Sequence, residues 1–318
     1  MKSFGAYLGL DLRDGQHYHE NALKLNTARN CLEYILKAKQ YKKIYIPYYT
    51  CDVILEISTT CNVECEFYSI DESFEPIREY KLSHNEAFLY TNYYGLKDEA
   101  ITKLANIYQS QLIVDNSLAF YAKPITGIDT FYTARKFFGV ADGAYLYTDT
   151  FLSEDIEQDT SFDRMIHLLK RIDLSLEAAH ADFVKNEEWL LCQPIRTMSK
   201  LTEKILKGID YELIKNKRIE NYLFLDSLLK KENQLQIDYI QGSVPMIYPF
   251  YSKNESLRKR LVKDKLYVTT YWLNVFEWCG NDQLEYKLAK NIMPLPVDQK
   301  YDMDDMKQIV DILKRNLI

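Results

Sequence analysis

Two side chains twenty-one positions apart suggest chemistry first: Asp115, closing the apolar run QLIVD, and Lys136, in TARK. A carboxylate at the end of a buried strand must find a cationic partner. A lysine flanked by apolar residues, here Phe137-Phe138, can work as a nucleophile or base near neutral pH. Other predicted strand ends carry Tyr48-Tyr49-Thr50-Cys51, Tyr93-Tyr94-Gly95 and Asp115-Asn116-Ser117. In an open α/β sheet, ligands bind beyond the carboxyl ends of the strands, so these groups gather on one rim. Aromatic faces, an acid, hydroxyls and one lysine suit pyridoxal phosphate, which needs a Schiff-base lysine and an acid beside its ring nitrogen. Thr133, three positions before the lysine, can offer a hydroxyl to the phosphate. Asn26-Thr27-Ala28 opens a predicted helix whose free N–H groups form an anion site, and Asn26 or Thr27 also suits the helix cap.

The elements that would position these groups alternate in type. Strands are predicted at 42–47, 62–70, 86–95, 111–115, 127–133 and 143–149, with helices at 27–39, 52–60 and 96–109. Strand–helix alternation predicts an α/β fold with a mostly parallel sheet between helices. Residues 161–232 read as largely helical, 236–296 as short strands and turns carrying Pro245, Pro249, Pro294 and Pro296, and 303–317 as an amphipathic helix. The expected division is a large cofactor-binding domain over 1–190 and a smaller α+β domain over 191–318.

Composition narrows the function classes. Ten glycines in 318 residues leave no G-x-G-x-x-G and no P-loop, so the usual glycine-rich nucleotide fingerprints are absent. Forty basic against forty-six acidic side chains give a net charge of −6, a poor match to nucleic-acid coating. No apolar run reaches the length of a membrane span or a signal peptide. Cys31, Cys51, Cys61, Cys65, Cys192 and Cys279 form no C-x-x-C pair and are expected to be buried, reduced thiols of a cytoplasmic protein. No metal set is expected. His17-Tyr18-His19 reads as solvated, His84, His167 and His180 as structural, and Glu187-Glu188 and Lys230-Lys231 as solvated charge steps. Ser117 lies in no nucleophile elbow.

The segments LNTARNCLEYIL (25–36), IYIPYYTCDVI (44–54), LIVDNSLAFY (112–121) and DTFYTARKFFGVADGAYLYTD (129–149) resemble the DegT/DnrJ/StrS family. TMSKLTEKIL (197–206) and IMPLPVDQKYDMDDMKQIVDIL (292–313) are similar to its central Met-Ser helix and closing segment. The resemblance implies a fold type I pyridoxal-phosphate aminotransferase acting on keto-sugar nucleotides, with glutamate as an amino donor, for surface polysaccharide or a related glycoside. It implies Lys136 as the Schiff-base lysine, Asp115 as partner of the ring nitrogen, and Asn26, Thr27 and Thr133 as phosphate ligands. Ala28 belongs to the same helix opening. It also implies a homodimer with shared active sites. Three positions depart from the family pattern: Leu118 where Gln or His is common, Cys51 where the ring-stacking aromatic falls, and Ile195 where an Asn reaches the partner. Tyr49 or Tyr93 can replace the aromatic, and Tyr93 and Tyr94 are candidates for the substrate pocket. A non-catalytic relative with a binding or regulatory role is the second reading.

Overall fold

The computed structural model describes residues 4–191, 193–235 and 237–317. Its first part runs β1 (Leu23–Leu25), α1 (Ala28–Lys39), β2 (Lys43–Pro47), α2 (Val53–Thr60), β3 (Glu64–Tyr68), β4 (Glu86–Thr91), α3 (Asp98–Tyr108), β5 (Leu112–Asp115), β6 (Asp129–Thr133) and β7 (Ala144–Tyr147). The seven strands form one sheet in the order β1-β7-β6-β5-β4-β2-β3. The strands from β3 to β6 pair in parallel, and β7 runs antiparallel to both β6 and β1.

Alternation along the strands sorts the side chains into two different layers. Ile44, Ile46, Ala87, Leu89, Ile113, Phe131, Ala144 and Leu146 face one way and pack with Leu32, Ile35 and Leu36 of α1. Tyr45, Phe88, Tyr90, Leu112, Val114, Tyr132 and Tyr145 face the other way. The first layer is nearly all aliphatic and the second is dominated by rings, which is where much of the tyrosine is spent. A buried phenol needs a hydrogen-bond partner. Tyr68, Tyr90, Tyr93 and Tyr132 donate to the carbonyls of Leu89, Phe74, Tyr49 and Ala122 at 2.8–3.0 Å.

The later part runs α4 (Ile166–Asp173), α5 (Leu176–Leu191), α6 (Lys200–Lys207), α7 (Tyr211–Leu229), β8 (Ile247–Tyr251), α8 (Leu257–Lys263), α9 (Val275–Trp278), α10 (Leu284–Asn291), β9 (Ile292–Pro296) and α11 (Met303–Leu317). The strands β8 and β9 form a separate antiparallel pair. Among the described residues, no helix is long and apolar enough to cross a membrane.

Four sequence expectations need correction. β4 stops at Thr91 instead of reaching Gly95, because Tyr94 (φ 60°) and Gly95 (φ 75°) turn the chain. A Cβ on Gly95 would lie 2.8 Å from the carbonyl oxygen of Val244, so glycine is required there. Residues 236–296 hold three helices, α8 to α10, besides the two strands. Pro249, Pro294 and Pro296 lie in the β8–β9 pair, where Pro249 faces Pro294, and Pro245 stands two residues before β8. His17 and His19 are buried, not solvated. His17 Nδ1 lies 2.7 Å from the Tyr145 hydroxyl, while His19 Nε2 donates to the Phe120 carbonyl at 2.7 Å. Burial pushes both imidazoles down to about 4. Finally, only Cys31 and Cys279 are fully buried, whereas Cys51, Cys61 and Cys65 are half-buried, all five being free thiols; Cys192 lies outside the described residues.

Candidate functional site

The central strands bring Asp115 and Lys136 to the same edge of the sheet. Asp115 ends β5, paired with Thr91 of β4 and Phe131 of β6. Lys136 follows β6 in a tight turn, closed by the N–H groups of Phe137 and Phe138 donating to the Ala134 carbonyl at 3.0 and 2.9 Å. The Ala134 N–H donates to the Gly143 carbonyl at 3.0 Å, tying the turn back to the start of β7. The large rings of Phe137 and Phe138 are buried and anchor the turn, while Lys136 itself is exposed.

That exposure is into a cavity. Lys136 lines a space of about 890 Å³, within the range of ligand pockets. Protein surrounds the amine closely enough that burial pushes it below the ordinary lysine range, with the Asp115 carboxylate and the Cys51 sulfur acting in the opposite direction. Asp115 is 6% exposed. Burial raises its carboxyl above the usual range, against a hydrogen bond from Ser117 and the charge of Lys136. The backbone N–H of Ser117 donates to Asp115 Oδ1 at 2.8 Å. Cys51 is the third member of this electrostatic group: burial pushes its thiol up to about 12, and the Lys136 charge draws it down.

The expected phosphate residues occupy the opening of α1. Thr27 is its N-cap, with Oγ1 accepting from the Asn30 N–H at 3.1 Å. Asn26 Oδ1 accepts from the Thr27 N–H at 3.1 Å, and Asn26 Nδ2 donates to the Pro194 carbonyl at 3.0 Å. Among the described residues, the N–H groups of Ala28 and Arg29 have no protein acceptor. Thr133 Oγ1 accepts a long hydrogen bond, 3.4 Å, from the Arg135 N–H. The segment bearing Ile195 crosses this helix end, and the Asn26 N–H donates to the Arg196 carbonyl at 2.9 Å.

Of the expected site residues, Lys136 lines the cavity, whereas Asp115, Cys51, Asn26, Thr27, Ala28, Thr133 and the tyrosines lie outside its wall. Tyr49, Tyr93 and Tyr94 are fully buried and do not line the cavity. The Tyr49 and Tyr94 hydroxyls are 2.8 Å apart. Tyr49 stacks on Tyr93 at 5.6 Å and meets Trp272 edge-on at 5.2 Å. Leu118 is buried in the same core cluster.

Other cavity residues come from segments with no chemical signal in the sequence. His167, Arg171, His180 and Phe183 project from the α4–α5 pair, and Asp298 and Lys300 from the segment after β9. His167 is buried with Nδ1 lacking a partner among the described residues. Glu187 is not a free charge step, because it ion-pairs with Arg135. Only the folded chain brings these groups beside Lys136, since they lie from 31 to 164 positions along from it.

No family model matches the sequence, and no curated protein does. Solved structures do match in shape. A DegT DnrJ EryC1 StrS aminotransferase from Brucella abortus superposes with a TM-score of 0.63 at 13% identity, over 92% of this chain and 85% of that one. The sugar aminotransferase CalS13 from Micromonospora echinospora gives 0.63 at 10% identity, over 93% and 87%. The structure of ntda from Bacillus subtilis with bound cofactor PMP gives 0.65 at 12% identity, over 93% and 73%. At such identities the likeness speaks for architecture: the chain has the α/β fold of these aminotransferases along more than nine-tenths of its length.

Proposed function

We propose that this protein is a pyridoxal-phosphate-dependent aminotransferase. The observation that carries the reading is the placement of Lys136, lining the cavity in the turn after β6, next to the strand β5 whose end carries the buried carboxylate of Asp115. The residues present fit the cofactor. Asp115 accepts from Ser117 but has no cationic hydrogen-bond donor among the described residues, which leaves it able to take the N–H⁺ of a pyridinium ring. The free N–H groups of Ala28 and Arg29, with the hydroxyls of Thr27 and Thr133, would hold the phosphate. Asn26 shapes the same helix opening. Cys51, electrostatically coupled to Lys136, would lie beside the ring.

When bound, pyridoxal phosphate supplies an electron sink for charge developing at the substrate carbon. Asp115 keeps the ring nitrogen protonated. Lys136 Nζ would hold the cofactor aldehyde, and as a free amine it would take the proton from the substrate α-carbon.

The amino acceptor is a keto-sugar nucleotide and the donor an amino acid such as glutamate, for surface polysaccharide or a related glycoside. This assignment is supported by the sugar-aminotransferase likeness and by a cavity large enough for a glycoside. We place the protein in the cytoplasm, which its free thiols favour. Residues 1–190 form the cofactor-binding unit and 191–318 the second unit, supported by the confinement of the seven-stranded sheet to 23–147. The active form is a homodimer, supported by apolar side chains left exposed on and beside α4, such as Ile172 at 82% and Leu174 at 66%. The reading is tested with Lys136→Ala: wild-type protein transfers the glutamate amino group to a keto-sugar nucleotide and the variant does not, whereas equal transfer by both refutes it.

A further inference from the structure

We infer that Gln299 is a positioning residue for Lys136, pinning the carbonyl of the next residue, and that buried Arg218 holds Gln299 in place. The inference rests on the proposed role of Lys136. Gln299 Nε2 donates to the Phe137 carbonyl at 2.7 Å. Its Oε1 accepts from Arg218 Nε at 2.9 Å. Chemistry forces this orientation, since a guanidinium can only donate and a carbonyl can only accept. Glutamine therefore joins two groups that no ionised carboxylate could join.

Arg218 lies on α7 and is 1% exposed. A buried guanidinium must be fully partnered. It donates to the Met246 carbonyl at 3.1 Å and to Asp298 Oδ1 at 3.2 Å, and its guanidinium lies 4.6 Å from the centre of the Phe137 ring. The latch thus grips Phe137 twice, through its ring and through its carbonyl. On the other side of the lysine, the turn is held by the Ala134 N–H on Gly143. Lys136 is suspended between these two anchors. Because Asp298, Gln299 and Lys300 also line the cavity, one wall of the pocket is mechanically joined to the turn that carries the amine.

The test reads the lysine without needing any cofactor. Full-length protein is labelled with trinitrobenzenesulfonate across a pH series, and peptide mass spectrometry gives the pH midpoint for Lys136. Gln299→Glu keeps the acceptor for Arg218 and removes the donor to Phe137; Gln299→Met removes both. In wild-type protein the midpoint lies below that of ordinary lysines. In each variant a freed Lys136 moves toward solvent, and its midpoint rises by about half a pH unit or more, while the thermal unfolding midpoint of Gln299→Glu stays close to wild type. A folded variant with the wild-type Lys136 profile overturns the inference. Failure of both variants to fold also overturns it, because Gln299 would then be a general stability element. Failure of wild-type protein to bind pyridoxal phosphate would count against the proposed function alone.

Discussion

Burial pushes Lys136 and Asp115 in opposite directions, each toward its neutral form, and their mutual attraction only partly offsets it. A pair left in that state gains from a cation placed against Asp115, which is what a protonated ring nitrogen provides. Asp115→Asn is therefore expected to keep the fold and to lower turnover by about 100-fold or more, the scale of a lost proton-controlling group. Steady-state kinetics check this, and an unchanged turnover contradicts the ring-nitrogen role. Both residues were legible in the sequence because a strand-ending acid and a lysine with an apolar flank are local signals. Arg218, Gln299 and His167 were not, because a polar residue on a helix or loop looks the same in sequence whether it meets solvent or a buried carbonyl.

Elements carry their own predictions. Thr27 caps α1 through its hydroxyl, so Thr27→Ala is expected to cost about 1 kcal/mol in chemical denaturation; no loss would contradict the cap. The segment before β1 is fastened by His17 and His19, whose folded values near 4 lie below the ordinary 6.5. Both are held neutral, so the unfolded chain binds more protons than the folded one between those values. Stability is then fully present above pH 6.5 and falls as pH drops toward 4, by up to about 1.4 kcal/mol per unit for each histidine. Urea titrations at pH 7.5 and 5 test this. The wild-type loss should shrink in His19→Phe, and an equal loss in both proteins contradicts the role of His19. The burial of these histidines could not be read from their spacing, since the partners Tyr145 and Phe120 lie more than one hundred positions away. The sheet strands β2 to β7, in contrast, were legible as short apolar runs bounded by Pro, Gly or an acid, with alternation visible at 62–70, whereas the three residues of β1 are too few to show a pattern.

For the whole molecule, the sheet and its helices follow from patterning, whereas the cavity follows from tertiary assembly. The pair α4–α5 was expected as helix, yet only the structure lays it over Lys136, with an outer apolar surface left uncovered. If a second copy covers that surface, Ile172→Asp combined with Leu174→Asp should convert dimers into folded monomers in light scattering. Dimers that persist would place the interface elsewhere. The most direct test of the central claim is to mix wild-type protein with pyridoxal phosphate, reduce with borohydride and map the modified peptide by mass spectrometry. The account predicts one stable phosphopyridoxyl group per chain, on Lys136. Modification spread over surface lysines with Lys136 untouched would contradict it.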